Sequence, residues 1–400
     1  MSSTDPVIVA GAGPAGSVVA LYLAQHNIPV ILLEKHESLP IDLRASTFHP
    51  PSLEMLHTLG VTERMLAKGL KVDKYQYRDR RTDEVAEFDM ALIADETTFP
   101  FRLQLEQYEM THIVRDMLAE YDCAQVLFSH QVVGCKNVKD GVEVTVETPE
   151  GIKTLQTPFL VGTDGASSNV RKSAGIGFGG FTYDEKFLVV STPFPFETVF
   201  ENLSYVNYVS DPDEWCVILR TDKLWRVLWP TQPGDSDDLL LSEDYIQARL
   251  KHLYDKGSAY EIGHRTLYNV HQRVSETYFK ERVVLAGDAC HINNPLGGMG
   301  MNGGLHDAFN LAERLVRIIE SGCDYAPEFE QYDRQRRELA VKFVQNHTIE
   351  NKKLMESTDK DIQDKRQKML METAADPVQA KAFLMERAMI NCVRESLQVS

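Results

Sequence analysis

Gly11, Gly13 and Gly16 stand in "VIVAGAGPAG" at the spacing G-x-G-x-x-G, directly after an apolar run at residues 6–10. Such a run suits a buried parallel strand, and the residues after the glycines suit a helix. Between a strand and a helix the spacing has a chemical meaning. Gly11 permits a tight turn, Gly13 lets a pyrophosphate approach the backbone, and Gly16 lets the helix pack on the strand. The amides at the helix start then face the phosphates, with the helix dipole favouring negative charge. "VILLEK" supplies a second strand ending in Glu34, 18 residues after Gly16, where a carboxylate can accept hydrogen bonds from ribose hydroxyls. Ala15, inside the loop, and Lys35, next to Glu34, are candidate contacts with the same ligand. The spacing leaves open whether that dinucleotide is FAD, NAD or NADP.

Two distant segments narrow the choice. "FLVGTDGASSNVRKSAGI" (159–176) runs an apolar strand into Asp164 and Gly165, then a short helix. "ERVVLAGDACHINNPLGGMGMNGGLHDAFNLAERL" (281–315) runs a strand into Asp288, then a glycine-rich loop and a long amphipathic helix. With these three fingerprints in this order, residues 6–340 resemble the single-component, FAD-dependent aromatic hydroxylases of the para-hydroxybenzoate hydroxylase fold. "RASTFHPPSLEMLHTLGV" and "VHQRVSETYFKERVVLAGDACHINNPLGGMG" look most like the members acting on simple phenols, such as para-nitrophenol monooxygenases.

The resemblance implies roles for particular residues. Asp164, with Gly165, would stand at the pyrophosphate, and Asp288 would bind a ribityl hydroxyl. Gly297, Gly298, Gly300, Gly303 and Gly304 would let backbone approach the flavin ring, with Met301 and Asn302 in the loop beside it. The start of the next helix would point its amides at the pyrimidine edge, which is negative in reduced flavin. Pro295 would line the reaction chamber, with Leu296 and Gly297 on its substrate side. Arg44, in "LRAST", would lie near FAD and the path of the nicotinamide donor, and Gln107 would contact the cofactor. Pro295 and Arg44 are thus the catalytic candidates. His291 and Asp307 follow the family pattern, but either could be structural.

These residues need a scaffold. The sequence suggests an α/β chain. A Rossmann-like FAD-binding domain is expected from 1–75, 102–180 and 270–330. An inserted β-sheet substrate domain is expected from 76–101 and 181–269, and a helical C-terminal region over 331–400, broken near "ADPVQ". "VEVTVETPEGIKTLQT" reads as strand, turn at 149–151, strand. All three tryptophans fall in "WCVILRTDKLWRVLW" (215–229). Period-two alternation puts Trp215, Val217 and Leu219 on one face and Cys216, Ile218 and Arg220 on the other. On the next strand Trp225, Val227 and Trp229 oppose Leu224, Arg226 and Leu228. Tyr205, Trp215, Val217, Arg220 and Trp225 are the candidates for roofing a flat aromatic substrate, against a plain reading as sheet core.

The resemblance further implies that NADH or NADPH reduces FAD, and that a C4a-hydroperoxide delivers oxygen from O2 to an electron-rich ring. No second complete G-x-G-x-x-G appears, in keeping with a nicotinamide donor that binds transiently. A reductase or dehydrogenase without oxygen insertion is the alternative. The W-x-W-x-I-P of flavin-dependent halogenases is absent. The uncharged window 6–33 is too glycine-rich for a stable membrane span. A net charge of −17 argues against a nucleic-acid partner, although a local basic pocket can persist within an acidic protein. Six scattered cysteines form no zinc spacing, so no metal is expected, and they read as buried free thiols. The protein is expected in the cytoplasm, and the helical tail could either cover the FAD-binding body or build a homodimer.

Overall fold

The computed structural model describes residues 5–41, 43, 45–211, 214–357 and 359–399. The fold is mixed α/β, with a parallel Rossmann-like sheet, an antiparallel sheet and C-terminal helices. Val7–Ala10 and Leu160–Gly162 are buried throughout, as strands covered on both faces must be. The six-stranded sheet runs Phe279–Lys280, Val283–Leu285, Leu160–Gly162, Val7–Ala10, Val30–Leu33, Ala124–Leu127, all parallel except the first pair.

The register decides what the sheet presents. Ala10 pairs with Gly162, and Gly162 with Leu285, so three strands end level at their carboxyl ends. The segments beginning at Gly11, Thr163 and Ala286 therefore leave the sheet side by side. Two glycines make the first turn possible. Gly11 has φ +100°, and a Cβ there would sit 2.6 Å from the Thr163 carbonyl oxygen. A Cβ on Gly16 would sit 2.0 Å from the Gly11 carbonyl oxygen. The helix Pro14–Gln25 can lie against the strand only because that atom is missing.

The hairpin expected near residue 150 forms from Gly141–Thr148 and Gly151–Thr157, and with Gln131–Val138 makes a three-stranded antiparallel sheet. Its Val142, Val144 and Val146 join the core of the parallel sheet. The eight-stranded sheet contains Phe178–Thr192, Val206–Ser210, Cys216–Arg220, Trp225–Pro230 and His264–Ser275, and is antiparallel apart from the pairing of Val206–Ser210 with Lys74–Asp79. One face packs Cys216, Ile218, Trp225, Val227 and Trp229 with Ile246 and Leu250 of the helix Glu243–Leu253. Ser242 caps that helix through the Tyr245 amide.

The chain after residue 330 breaks more often than the sequence suggests. The expected break is at Asp376, which ends Lys360–Ala375 and caps Pro377–Arg387. A π-helical turn over Ala340–Gln345 and a left-handed Met389 (φ +63°) add others. These helices cover the other face of the eight-stranded sheet, with Phe383 stacked on Phe88 at 4.4 Å between centroids. Cys216, Cys290 and Cys392 are buried, but Cys323 is exposed, which corrects the expectation for that thiol. Among the described residues no helix is long and apolar enough to cross a membrane.

Gly16→Ala is expected to lower the unfolding free energy by about 1–3 kcal/mol or to prevent folding, because the new methyl meets rigid backbone. Denaturant titration checks this, and a variant as stable as the parent would contradict it.

Candidate active site

A cavity of about 780 Å³ runs from the ends of the parallel strands to the face of the eight-stranded sheet. Its volume is within the range of cofactor and ligand sites. Of the sequence candidates, Gly11, Gly13, Ala15, Glu34, Lys35, Gln107, Asp164, Gly165 and Asp288 line one part of it. Pro295, Leu296, Gly297, Gly298, Gly300, Met301 and Val217 also line it. Arg44 lies outside the described residues.

The lining suits a dinucleotide. Glu34 is buried, with Oε2 accepting from the Ala12 amide at 3.0 Å and Oε1 from the His36 amide at 3.1 Å. Each oxygen keeps a lone pair for a sugar hydroxyl. Gly13 caps the helix Pro14–Gln25, and Gly298 caps Met299–Ser321, in both cases without a side-chain hydrogen bond. Two helix starts thus border the cavity without a capping side chain, which suits phosphate or another electron-rich edge. Asp164 is used differently: Oδ2 accepts from the amides of Asn169 and Val170 at 2.7 and 3.1 Å, so it builds the turn into Asn169–Ser173. Asp288 is exposed between buried Gly287 and Ala289 and borders the cavity.

Asn302 and Gly16 do not line the cavity; they hold its walls. Asn302 Nδ2 donates to the carbonyls of Thr47 (2.8 Å) and Gly298 (2.7 Å), and its Oδ1 accepts from the His49 amide (2.9 Å). His49 Nε2 donates to the Gly297 carbonyl at 2.9 Å. The glycine loop is therefore tied to the strand Thr47–Phe48 from behind. Deeper still, Asp307 Oδ2 accepts from His291 Nε2 (2.7 Å) and the Gly287 amide (3.2 Å), while Oδ1 accepts from Arg336 Nε (2.7 Å). Burial opposes the Asp307 charge, but His291 and Arg336 outweigh it and hold the carboxyl well below its usual range. Cys290, His291 and Asp307 lie close enough to hold a cation, yet Arg336 already supplies the positive charge, and burial pushes the Cys290 thiol up.

Four substrate candidates lie elsewhere, and the pleat explains three of them. Trp225 is fully buried on the face away from the cavity, with its indole N–H donating to Glu197. Arg220 pairs across strands with Trp225, shares that face, and lies 5.7 Å over the indole. Tyr205 is exposed and meets Trp225 edge-on at 6.3 Å. Trp215 shares the face of Val217 but packs on Phe187 at 5.8 Å, beyond the cavity. The cavity receives instead the alternate residues Arg226 and Leu228, with Val189, Val206, Tyr208 and Leu219. Alternation was readable in the sequence; which face meets the cavity was not.

Arg102 also escaped the sequence reading. It lies in the strand Arg102–Gln104, all three residues of which are buried, and it lines the cavity 4.0 Å from the Tyr75 ring. Burial opposes its charge, while the phenolic groups of Tyr208, Tyr75 and Tyr77 offset this and raise its pKa. Among the described residues no carboxylate pairs with it. Arg226, by contrast, bonds Glu106 at 2.8 Å. A charged residue flanked by apolar ones was the only signal in "FRLQL".

This geometry coincides with a known family. The FAD binding domain family matches residues 4–347. The chain belongs to the FAD-binding class A flavoprotein monooxygenases and is a flavoprotein aromatic monooxygenase. It is 30% identical over 402 residues to para-nitrophenol 4-monooxygenase of Pseudomonas sp. strain WBC-3, covering 98% of this chain and 97% of that one. It is 32% identical over 332 residues to 6-hydroxy-3-succinoylpyridine 3-monooxygenase HspB of Pseudomonas putida strain S16, covering 80% and 82%. The crystal structure of p-nitrophenol 4-monooxygenase PnpA from Pseudomonas putida DLL-E4 superposes with a TM-score of 0.91 at 27% identity, over 98% of this chain and 99% of that one.

Two buried histidines generate a pH prediction. Burial, then the charge of Arg102, holds His49 well below the ordinary imidazole value of 6.5. Burial, then Arg336, lowers His306 to about 3. With folded values below unfolded ones, the unfolded chain binds the extra protons. Stability is then full above pH 6.5 and falls as the pH drops towards the folded values. Each histidine contributes up to ~1.4 kcal/mol per pH unit. Melting temperature measured from pH 7.5 to 5 should fall below 6.5, less steeply in His306→Gln; equal slopes would contradict the assignment.

Proposed function

We propose that the protein hydroxylates a small phenolic or heteroaromatic ring that binds as an anion, using FAD, NADH or NADPH, and O2. The observation that carries this reading is Arg102, a buried cation lining a cavity that Val189, Val206, Val217, Leu219 and Leu228 also wall, while the neighbouring Arg226 is bonded to Glu106. A flat apolar ring fits between the sheet and the Pro295 loop, and the guanidinium complements a phenolate or another anionic oxygen. Holding the ring as phenolate raises its electron density, which is what oxygen transfer to an aromatic carbon needs.

FAD, when bound, supplies the passage of electrons from the nicotinamide to O2 and the oxygen transfer. The chain's part is positional. In this reading Gly11, Gly13, Ala15 and the segment from Asp164 hold the pyrophosphate, Glu34 with Lys35 the adenosine end, and Asp288 the ribityl chain. Gln107 flanks the cofactor. Gly298, Gly300 and Met301, braced by Asn302, present the uncapped helix start to the pyrimidine edge. Pro295, Leu296 and Gly297 shape the chamber and exclude water. The FAD-binding part is then 1–75, 102–180 and 270–330, and the substrate part 76–101 and 181–269.

The two relatives named above support a nitrophenol-like or hydroxypyridine-like ring. NAD(P)H oxidation by the flavin-loaded protein, with O2 uptake and product mass followed together, tests the proposal on a panel of nitro-, carboxy- and heteroaromatic phenols. The expected result is substrate-stimulated oxidation with a product heavier by one oxygen. Turnover without oxygen consumption would overturn it. Arg102→Met should raise KM for an anionic ring by ~10-fold or more, matching the loss of a hydrogen bond to a charged group; an unchanged KM would remove Arg102 from the site.

A further inference from the structure

Lys352 is only 4% exposed, where lysines are seldom found unless paired. It stands on the C-terminal helix Asn346–Glu356, outside the lining of the cavity. Thr348 and Met355 are buried on the same helix, and spacings of four and three put all three side chains on one face. That face meets an irregularity in the eight-stranded sheet. The strand Phe178–Thr192 pairs with His264–Ser275 up to Thr182 opposite His271 and again from Lys186 opposite Asn269. Residues 183–185 therefore stand against Val270 alone, a bulge of the kind that re-aims side chains. Here it aims two of them at the helix. Glu185 pairs with the Lys352 ammonium, and the Tyr183 ring centroid lies 4.3 Å from it. Glu356, one turn further along the helix, pairs with the same ammonium.

The rest of that face reaches the loop that shapes the reaction site. Gln272 Nε2 donates to Thr348 Oγ1 at 2.8 Å, and Gln272 Oε1 accepts from the Asn294 amide at 2.9 Å. Asn294 Nδ2 donates to the Thr348 carbonyl at 3.0 Å, and its Oδ1 accepts from the Leu296 amide at 3.1 Å. Asn294 also hydrogen-bonds the Tyr183 hydroxyl. Met355 and Leu296 belong to one apolar cluster. Gln272, Asn294 and Thr348 are buried, where a satisfied polar network is rigid and a broken one costly. A buried ion pair, by contrast, often adds no stability over apolar side chains of similar size. What Lys352 with Glu185 adds over a leucine is register: if the helix slides, two buried charges part.

We infer that Lys352 is a positioning residue for the reaction. By fixing the helix Asn346–Glu356 on the bulge at 183–185, it holds Asn294, and through Asn294 it keeps the Leu296 segment seated on the substrate end of the cavity. The consequence rests on the hydroxylase reading. With the loop seated, one oxygen atom enters the ring and the other leaves as water: NAD(P)H, H+, O2 and Ar–H give NAD(P)+, H2O and Ar–OH. With the loop loose, water enters and the same two electrons reduce O2 instead: NAD(P)H, H+ and O2 give NAD(P)+ and H2O2. Lys352 does not line the cavity. Its signature is therefore the division between these two outcomes rather than the rate of donor oxidation.

Two measurements on the flavin-loaded full chain test this. Hydrogen exchange over residues 293–298 needs no substrate. In Lys352→Met combined with Glu185→Gln, which removes both charges together, exchange there should quicken about tenfold while the strand Val7–Ala10 stays protected. Lys352→Arg, which keeps the charge, should stay within about twofold of the parent. The second measurement is peroxide formed per NAD(P)H oxidised. Its ring is the first of the panel to give a product heavier by one oxygen, beginning with 4-nitrophenol. Peroxide yield should rise at least threefold in the double variant and return towards the parent in Lys352→Arg. Tyr183→Phe, which keeps the ring beside Lys352 and removes the hydroxyl bonded to Asn294, should raise it too. Unchanged exchange at 293–298, exchange that quickens equally at Val7–Ala10, or an unchanged peroxide yield overturns the inference and leaves the hydroxylase reading intact. A parent that hydroxylates no ring of the panel sinks the hydroxylase reading and the inference with it.

Discussion

Parallel pairing of Val7–Ala10, Leu160–Gly162 and Val283–Leu285, level at Ala10, Gly162 and Leu285, is the constraint on which the site depends. A parallel strand pair hides its connections on the faces of the sheet and leaves its carboxyl ends free. Three loops separated by more than a hundred residues thus emerge within one cavity wall. A register slip of one residue would offset the strand ends and move the loops apart. The glycines at 11 and 16 are the local condition for this arrangement, because both face backbone at distances no side chain tolerates.

Behind the loops a second, electrostatic layer keeps them in place. Asp307 joins the segment bearing Asp288 to the long helix and, through Arg336, to the helix Tyr325–Leu339. Fully buried carboxylates are costly unless paired, and one that satisfies four donors from three elements fixes their relative positions. Asn302 does the same for the glycine loop with neutral hydrogen bonds. His49 belongs to both settings, since it braces Gly297 and stays uncharged beside Arg102.

The protein is strongly acidic as a whole, yet Arg102 and Arg226 border its cavity where it meets the eight-stranded sheet. Net charge acts over the surface, where salt screens it within about 8–10 Å, whereas a desolvated guanidinium dominates its immediate surroundings. The C-terminal helices matter here as walls. By stacking Phe383 on Phe88 and bringing Arg366 and Arg387 towards Tyr208, they turn one face of an open sheet into an enclosed space.

The three fingerprints, the dinucleotide chemistry and the family could be read from the sequence, because a tight turn, a close phosphate approach and a strand end each demand particular residues at fixed spacing. The period-two pattern of 215–229 was legible for the same reason. What it could not reveal was which face would be covered by the helix Glu243–Leu253 and which would meet the cavity, so the tryptophans stood in for Arg226 and Leu228. Arg102 was hidden more deeply. Its meaning comes from burial against Tyr75 beside the cavity, and that depends on elements that meet only when the chain has folded. Spacing along the chain determined what this protein can bind at its nucleotide end; packing across the chain decided which charges border the cavity.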